Sequence, residues 1–510
     1  MSLVFALSPI LAVALGGLLL MLTEAFGRPG VATSAAGPVV DVGAGRGAEL
    51  GLGAAVALFA GAVLSVAVWL VGPASIPGVV DLAPYLILDR YALFFCFVIC
   101  LGGALAALLA AGYLPEHRIE RGEFFPLLLL STVGAMGLVA AGDVLTLFLA
   151  LETMSLGVYC MIALRRVPRS VEASLKYFLL GSFAAALLLF GAALLYGVTG
   201  RTDLAGIGEA LGAVASRGSG ASVATVLIAT TLVIVGLAFK VSAVPFHMWT
   251  PDAYEGAPTP VTSYMAVVVK AAAFAVLVRV LQSAFGGVHL SSWGSGWPPV
   301  VALLAVLTMT VGNVVAGRQE SVKRMLAYSS ISHAGYALIA VAALPNSEHG
   351  VPSTMFYMLA YTASTAGAFG ALILAGRYRA EAVHYDDFAG LGRRHPAVAL
   401  AFSLFLVSLA GIPPTAGFFG KLYVFQAAID AELYWLVVAG VVNSVLGAYY
   451  YVRVMVYMYM REPALGSVTA TPMRSGSVVA ALLLAAILVI GLGVFPGAGL
   501  EMARAAQLVP

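Results

Sequence analysis

The sequence predicts an all-α polytopic membrane protein with about 14 transmembrane helices. Three observations carry that expectation. Of 510 residues, 61% are hydrophobic and only 10% are charged, with a mean hydropathy of +1.00, outside the range of soluble domains. Apolar runs of about 20 residues, the length a bilayer requires, are centred near residues 13, 60, 100, 132, 154, 186, 234, 272, 306, 332, 364, 412, 446 and 487. Basic residues alternate between connections, as a multi-pass chain demands. No soluble domain of useful size is left over. The net charge of +2, with no basic stripe, excludes nucleic-acid binding.

Spans 1–3 occupy residues 1–122 and read as plain membrane helices. The N-terminal run has no basic leader and is too long for a cleaved signal, so it is expected as a retained first span. The Gly/Ala-rich stretch Gly27–Glu49 is expected as a poorly ordered loop. Cys96, Cys100 and Cys160 all fall in apolar spans and are expected as buried packing thiols. With no further Cys or His nearby, no metal site is predicted.

Residues 123–286 form spans 4–8 and residues 297–461 form spans 9–13; a final span covers 477–497. Each five-span unit carries one proline-broken helix, the first at Pro245 and the second at Pro413-Pro414. Five spans is an odd number, so successive units must be inverted in the membrane. Paired broken helices in inverted repeats point to a transport site near the midplane.

Within the first unit, Phe124–Leu138 and Val144–Leu164 form a hairpin turned by Gly142-Asp143. Glu152 lies about nine residues past that turn, roughly 13 Å deep at the helical rise. It reads either as a functional carboxyl or as a neutralised helix-packing group. Lys176, four residues after Glu172 near a helix end, is either a relay member or half of an ordinary i,i+4 pair.

With 14 spans, the odd connections carry Arg28, Arg46, Arg118, Arg121, Arg165, Arg166, Arg169, Arg318, Lys323, Arg324, Arg377, Arg379, Arg393, Arg394, Arg461 and Arg474. The even connections clearly carry only Arg201 and Arg217, with Arg90 and Arg279 at span ends. The positive-inside rule then puts the odd loops in the cytoplasm and both termini outside.

The central stretch is Ala229–Pro260, a membrane helix with Lys240 in its apolar middle, broken at Pro245 and followed by His247, Asp252 and Glu255. A charged amine in lipid is costly and persists only against a cavity or a partner. Carbonyls freed by proline are tolerated at membrane depth only against protein or water. His247 is either a relay member or a cap for those carbonyls.

The chain has five lysines, at 176, 240, 270, 323 and 421, and Lys323 alone has a solvent-facing context. Lys270 lies ten residues beyond Pro260, too central to snorkel. Lys421 follows the second break. Desolvated amines exchange protons more readily than hydrated ones, so these lysines read as a proton relay. Ser329, Ser330, Ser332 and His333 wet an otherwise apolar helix. A histidine can join two water chains, one nitrogen donating while the other accepts. Arg453, among tyrosines, pairs with an acid or with a neighbouring subunit.

The segments LALETMSLGVYCMIAL, EASLKYFLLGSF, FKVSAVPFHMWTPDAYEGAPTPVTSYMA, KRMLAYSSISHAGY and LAGIPPTAGFFGKLYVF together resemble the antiporter-like membrane subunits of respiratory complex I. The resemblance runs from about Phe124 to Arg461. Within the family it is nearest the N type of bacterial NADH–quinone oxidoreductase. The loop reads TPDAYEGAPTP, span 12 carries Lys421 where M-type subunits carry glutamate, and the chain stops soon after span 14, without the long lateral helix of L-type subunits.

The resemblance implies that Glu152 pairs with Lys240, that Lys270 connects onward, that His333 lies on the central axis and that Lys421 leads outward. It implies helix breaks at Pro245, Pro413 and Pro414. It also implies partners among the other membrane-arm subunits, and a bacterial inner-membrane location in contact with lipid, protons and internal water. NADH, FMN, iron–sulfur clusters and quinone are expected in partner subunits, and no cofactor on this chain: it has no GxGxxG fingerprint and no cluster-binding cysteine set. The alternative is a membrane subunit of a multisubunit cation/proton antiporter. A purely structural anchor leaves the costly lysines unexplained.

Overall fold

The computed structural model describes residues 2–26, 46–119, 122–217, 220–376, 381–463, 469–506 and 508, without the side chains of 46, 215–217 and 220–222. Among the described residues, twenty α-helices follow one another: α1 (Ser2–Phe26), α2 (Arg46–Val71), α3 (Arg90–Glu116), α4 (Phe124–Val139), α5 (Val144–Ala163), α6 (Pro168–Thr199), α7 (Leu204–Arg217), α8 (Gly220–Val241), α9 (Trp249–Gly256) and α10 (Thr259–Tyr264). A π segment, Met265–Val269, joins α10 to α11 (Lys270–Ser283). The rest are α12 (Pro298–Ala316), α13 (Val322–Ala342), α14 (Gly350–Leu374), α15 (Leu391–Arg394), α16 (Pro396–Ala410), α17 (Ala416–Asp430), α18 (Tyr434–Met460), α19 (Gly476–Val494) and α20 (Pro496–Ala505).

Among the described residues, 12 helices are long and apolar enough to cross a bilayer. Two expected spans fall short of that length: α4 has 16 residues, and the broken twelfth span begins with the 15-residue α16. Two helices were not foreseen, the amphipathic α7 and the C-terminal α20. The last span ends at Val494, before Pro496, and not at residue 497. Helix α2 begins at Arg46, inside the expected Gly27–Glu49 loop; residues 27–45 of that loop, with Arg28, and Arg121, Arg377 and Arg379 lie outside the described residues.

The helices sort into an inner and an outer set. Every residue of the most apolar window of Thr259–Ser283 and of α14 is buried, against 22% for α1 and 33% for α6, α18 and α19. The outer helices turn large apolar side chains outward, among them Phe183, Val438 and Leu483. In lipid that is the low-energy arrangement, because backbone groups are satisfied within each helix.

Two hairpins, α4–α5 and α12–α13, are built alike. Gly134 of α4 faces the backbone of Met154, and Gly157 of α5 faces Ser131; Gly312 of α12 faces Ser332, and Gly335 of α13 faces the backbone of Met309. A Cβ at Gly134 would stand 2.4 Å from the Met154 nitrogen, so close helix approach depends on these small residues. The second helix of each hairpin is N-capped by a side chain, Asp143 onto Leu145 and Thr146, and Ser321 onto Arg324. Gly312, Ser321 and Gly335 each lie 178 residues beyond Gly134, Asp143 and Gly157.

The helix breaks share a backbone plan as well. Helices α8 and α16 each end in a left-handed residue, Ser242 at φ 66° and Gly411 at φ 84°. The amide two residues past each helix end bonds back five residues, Ala243 to Ala238 and Ile412 to Val407, the geometry of a Schellman close. A cis peptide follows at Val244-Pro245 and at Pro413-Pro414.

A buried ion pair ties α11 to α3. Both terminal nitrogens of Arg279 donate to Asp89, at 2.9 and 3.1 Å, and Nε donates to the Val139 carbonyl. Arg279 is 0% exposed and Asp89 4%. Asp89 also caps α3 by accepting from the Ala92 amide at 2.7 Å.

Candidate functional site

The broken span α8–α9 places Lys240 in the last turn of α8, where its side chain is 2% exposed. Nζ donates to Ser155 Oγ at 2.8 Å and lies 5.3–5.7 Å from the ring centres of Tyr159, Tyr177 and Phe239. An aromatic cage of this kind holds a cation where water is scarce. The expected Glu152–Lys240 pair is not closed: Lys240 bonds Ser155, one turn beyond Glu152, and buried Glu152 Oε1 has no hydrogen-bond partner among the described residues. Glu152 sits at the edge of the outward face of α5, beside exposed Leu149 and Leu156. At the break itself the freed Val244 amide donates to Thr308 Oγ1 of α12 at 2.9 Å. His247 bonds the Pro245 backbone at the break, and its buried Nδ1 has no hydrogen-bond partner among the described residues.

Lys270 begins α11 directly after the π segment and is 1% exposed. Nζ donates to both the carbonyl and the hydroxyl of Ser330 on α13, at 2.5 Å each, and Tyr361 donates to the same hydroxyl at 2.8 Å. One turn further on α13, His333 lies between two tyrosines. Nδ1 meets Tyr357 Oη at 2.7 Å, and Nε2 meets Tyr451 Oη at 3.1 Å. The Tyr451 hydroxyl also bonds Ser329. From there Ser332 reaches Tyr450 at 3.4 Å, Tyr450 donates to Asn313 at 3.0 Å, and Asn313 donates to Tyr336 at 3.2 Å.

Lys421 stands 4.7 Å from the Tyr336 ring centre and donates to Ser444 Oγ and the Ala410 carbonyl, both at 2.8 Å. Ala410 is the residue before the second break, so the carbonyl freed there is what holds the lysine. Lys270 with Ser330 and Tyr361, His333 with Tyr357 and Tyr451, and Lys421 beside Tyr336 thus stand as successive buried polar clusters along α13. Lys240 lies apart from them, in its own aromatic cage. Sequence reading missed Ser155, Tyr159, Tyr177, Tyr357, Tyr361, Tyr450, Tyr451 and Ser444. The signal available was position: Ser155 lies 178 residues before His333, the same interval that separates the hairpin glycines.

Several expectations need correction. Lys323 does not face solvent. It is 0% exposed, donates to the Ala257 carbonyl at 2.7 Å and pairs with Glu381 at 3.0 Å. Burial works against ionisation of Glu381, but Lys323 and the hydroxyls of Thr259 and Tyr113 hold its carboxyl down at about 2. That stabilisation is complete above the unfolded carboxyl range and is lost only as pH falls towards 2. Cys160 is exposed, on the outward face of α5, whereas Cys96 and Cys100 are buried as expected.

Lys176 makes the ordinary pair with Glu172 at 2.7 Å, adds Asp252 at 3.1 Å, and remains half-exposed. Among the described residues Arg453 meets no acid; it donates to the Gly317 and Gln319 carbonyls beyond α12 and stacks on Tyr385.

Residues 141–447 match the family model described as NADH:quinone oxidoreductase/Mrp antiporter, TM. NADH-quinone oxidoreductase subunit N 1 of Sorangium cellulosum is 63% identical over 505 residues, covering 99% of this chain and 98% of that one. A chain of respiratory complex I from Thermus thermophilus with bound aureothin is 32% identical, with a TM-score of 0.77 over 98% of this chain and all of that one. A chain of the Mrp complex from Dietzia sp. has a TM-score of 0.81 over 99% of this chain and 97% of that one, at 24% identity, a likeness of fold alone. The chain belongs to the subunit N family of NADH-quinone oxidoreductase, a membrane subunit of respiratory complex I.

Proposed function

We propose that this subunit moves protons across a bacterial inner membrane, driven by NADH-to-quinone electron transfer in its partner subunits. It is the non-redox part of the translocase; NADH, FMN, iron–sulfur clusters and quinone are held elsewhere in the complex. Residues 123–286 and 297–461 act as two inverted units, and both termini lie on the outer side. The observation that carries the reading is the succession of buried polar clusters along α13: Ser330 on Lys270, His333 between Tyr357 and Tyr451, and Tyr336 beside Lys421. Three lysines with almost no exposure, set on hydroxyls and rings, are costly in a membrane core and gain nothing as packing.

In the path we infer, redox-driven change in the partners alters the charge felt by Lys240 through Glu152. Unit charges about 10 Å apart interact by about 1.7 kcal/mol at an effective dielectric constant of about 20, roughly tenfold in a protonation equilibrium. A proton shift at Lys240 is then felt at Lys270. From Lys270 the proton passes by His333 to Lys421 and outward. His333 keeps one nitrogen for each side, Tyr357 on one and Tyr451 on the other, and so transmits a proton without moving far.

His333→Phe fills the same space and cannot carry a proton. It is expected to lower NADH-driven pumping in inverted vesicles about tenfold or more, with the complex still assembled. Wild-type pumping in that variant would remove His333 from the path. The antiporter reading has fold likeness on its side. Purification in mild detergent separates the two: NADH–quinone reductase activity should co-elute with the tagged chain, and an eluate of membrane subunits without that activity would favour the antiporter.

A further inference from the structure

We propose that the Glu381–Lys323 pair is the point at which cytoplasmic protons join the path to Lys270. This rests on the reading above and extends it to the intake side, which none of the residues already discussed supplies.

Four elements converge on the pair. Lys323 opens α13, and Glu381 belongs to the connection between α14 and α16. Thr259 begins α10 and Tyr113 closes α3, and both donate hydroxyls to Glu381 Oε1. The pair is asymmetric in its access to solvent: the Glu381 side chain is 15% exposed, whereas that of Lys323 is 0% exposed. One partner therefore touches the aqueous side and the other faces only protein.

Two helices lead inward from this cluster and meet again at Lys270. On α13, Ser330 lies seven residues beyond Lys323, two turns and about 10 Å along the same face. On the neighbouring helix, Thr259 is followed one turn later by Ser263 and then, across the π segment, by Lys270. Lys270 Nζ closes the far end on Ser330 at 2.5 Å. Between the two ends stand the hydroxyls of Ser263 and Tyr254. Both residues are 0% exposed; the Ser263 hydroxyl has no hydrogen-bond partner among the described residues, and that of Tyr254 lies beside Ser330. A buried hydroxyl without a partner costs about 1–3 kcal/mol, and internal water is the usual occupant that satisfies it. The Ser263 orphan, with Tyr254 beside Ser330, stands where a proton wire from Lys323 to Lys270 needs water.

The charges allow the pair to turn over. When Lys270 is neutral, Lys323 releases its proton inward along that water and Lys270 takes it up. Glu381 then loses the ammonium that had helped hold its carboxyl low, and burial, the largest influence on it, favours the protonated acid against the Thr259 and Tyr113 hydroxyls that remain. Glu381 takes a proton from the cytoplasmic water and passes it to Lys323, and the ion pair is restored. One proton enters for each that moves inward, and the lysine never faces the solvent.

The test uses the whole complex in inverted vesicles, reading protons pumped per NADH oxidised together with the amount of assembled complex. Lys323→Arg keeps the charge and the pairing but does not give up its proton; Glu381→Gln keeps hydrogen bonding and loses titration. Both are expected to assemble and to pump about tenfold less or worse, with Glu381→Asp retaining most of the activity.

A purely structural pair gives the opposite pattern. Lys323→Arg or Glu381→Gln pumping at the wild-type ratio overturns the inference. So does loss of the assembled complex in both variants, because the pair is then a staple. Lys270→Ala, run alongside, distinguishes the levels. Normal pumping there sinks the path as a whole, whereas failure there beside a fully active Lys323→Arg sinks only the intake.

Discussion

Lys240→Met is expected to lower NADH-driven proton translocation about a hundredfold while leaving assembly intact. Methionine is similar in length and apolar, so it fills the space among Tyr159, Tyr177 and Phe239 that the lysine now occupies. Removing a buried charge together with its desolvation cost is neutral or stabilising when the replacement packs well, so loss of function here is not loss of fold. What disappears, on the proposed path, is the group that senses Glu152 and holds a proton at the first break. Lys240→Arg is a second expected failure, since arginine keeps the charge and cannot release its proton. The measurement is the initial rate of vesicle acidification set against complex content. Wild-type acidification by Lys240→Met would show that this lysine carries no proton and sets no switch.

The largest effect on stability is expected at the buried Arg279–Asp89 pair. Arg279→Ala leaves the Asp89 side chain buried at 4% exposure with its two guanidinium bonds gone. Breaking one partner of a buried pair costs about 3–5 kcal/mol. The loss also frees the Val139 carbonyl at the end of α4, so α3, α4 and α11 all feel it. Heating the purified complex and following loss of this subunit should show a clearly lower midpoint for Arg279→Ala. Arg279→Met combined with Asp89→Asn should recover much of it, because no uncompensated charge remains. Equal damage from the single and double variants would mean that packing, and not charge, holds this junction.

Much of the site was legible before the fold was known because depth in a membrane can be counted. Lys240, Lys270, His333 and Lys421 each stood far enough inside an apolar run that solvent was out of reach, and the structure buries all four. Both proline breaks were visible for the same reason, a residue type that cannot continue a helix. Lys323 was misread because its neighbours in sequence, Gln319, Glu320 and Arg324, describe a helix end in water. What covers it is Glu381, 58 residues away, together with Thr259 and Tyr113 from two further helices. The tyrosines around His333 were read past because a tyrosine in a span is equally at home in packing, and only contact shows where its hydroxyl goes. Cys160 was misplaced because an apolar sequence does not say which face of a peripheral helix looks outward.

Repeat structure was partly readable. The broken spans announced it, and the run Thr-Val-Gly at 132–134 and again at 310–312 marks the hairpin register that the glycines then fix. The shared left-handed close at Ser242 and Gly411 was not readable, since serine there gives no hint of a positive φ.

The most direct measurement is the number of protons translocated per NADH by the reconstituted complex carrying Lys421→Met, beside the wild type. On the proposed path Lys421 is the last lysine before the outer side, and its bonds to Ala410 and Ser444 position it without another protonatable hydrogen-bond partner among the described residues. The expected result is fewer protons per NADH, or turnover that stalls because the last step is blocked. An unchanged ratio at unchanged turnover would contradict proton passage through this subunit.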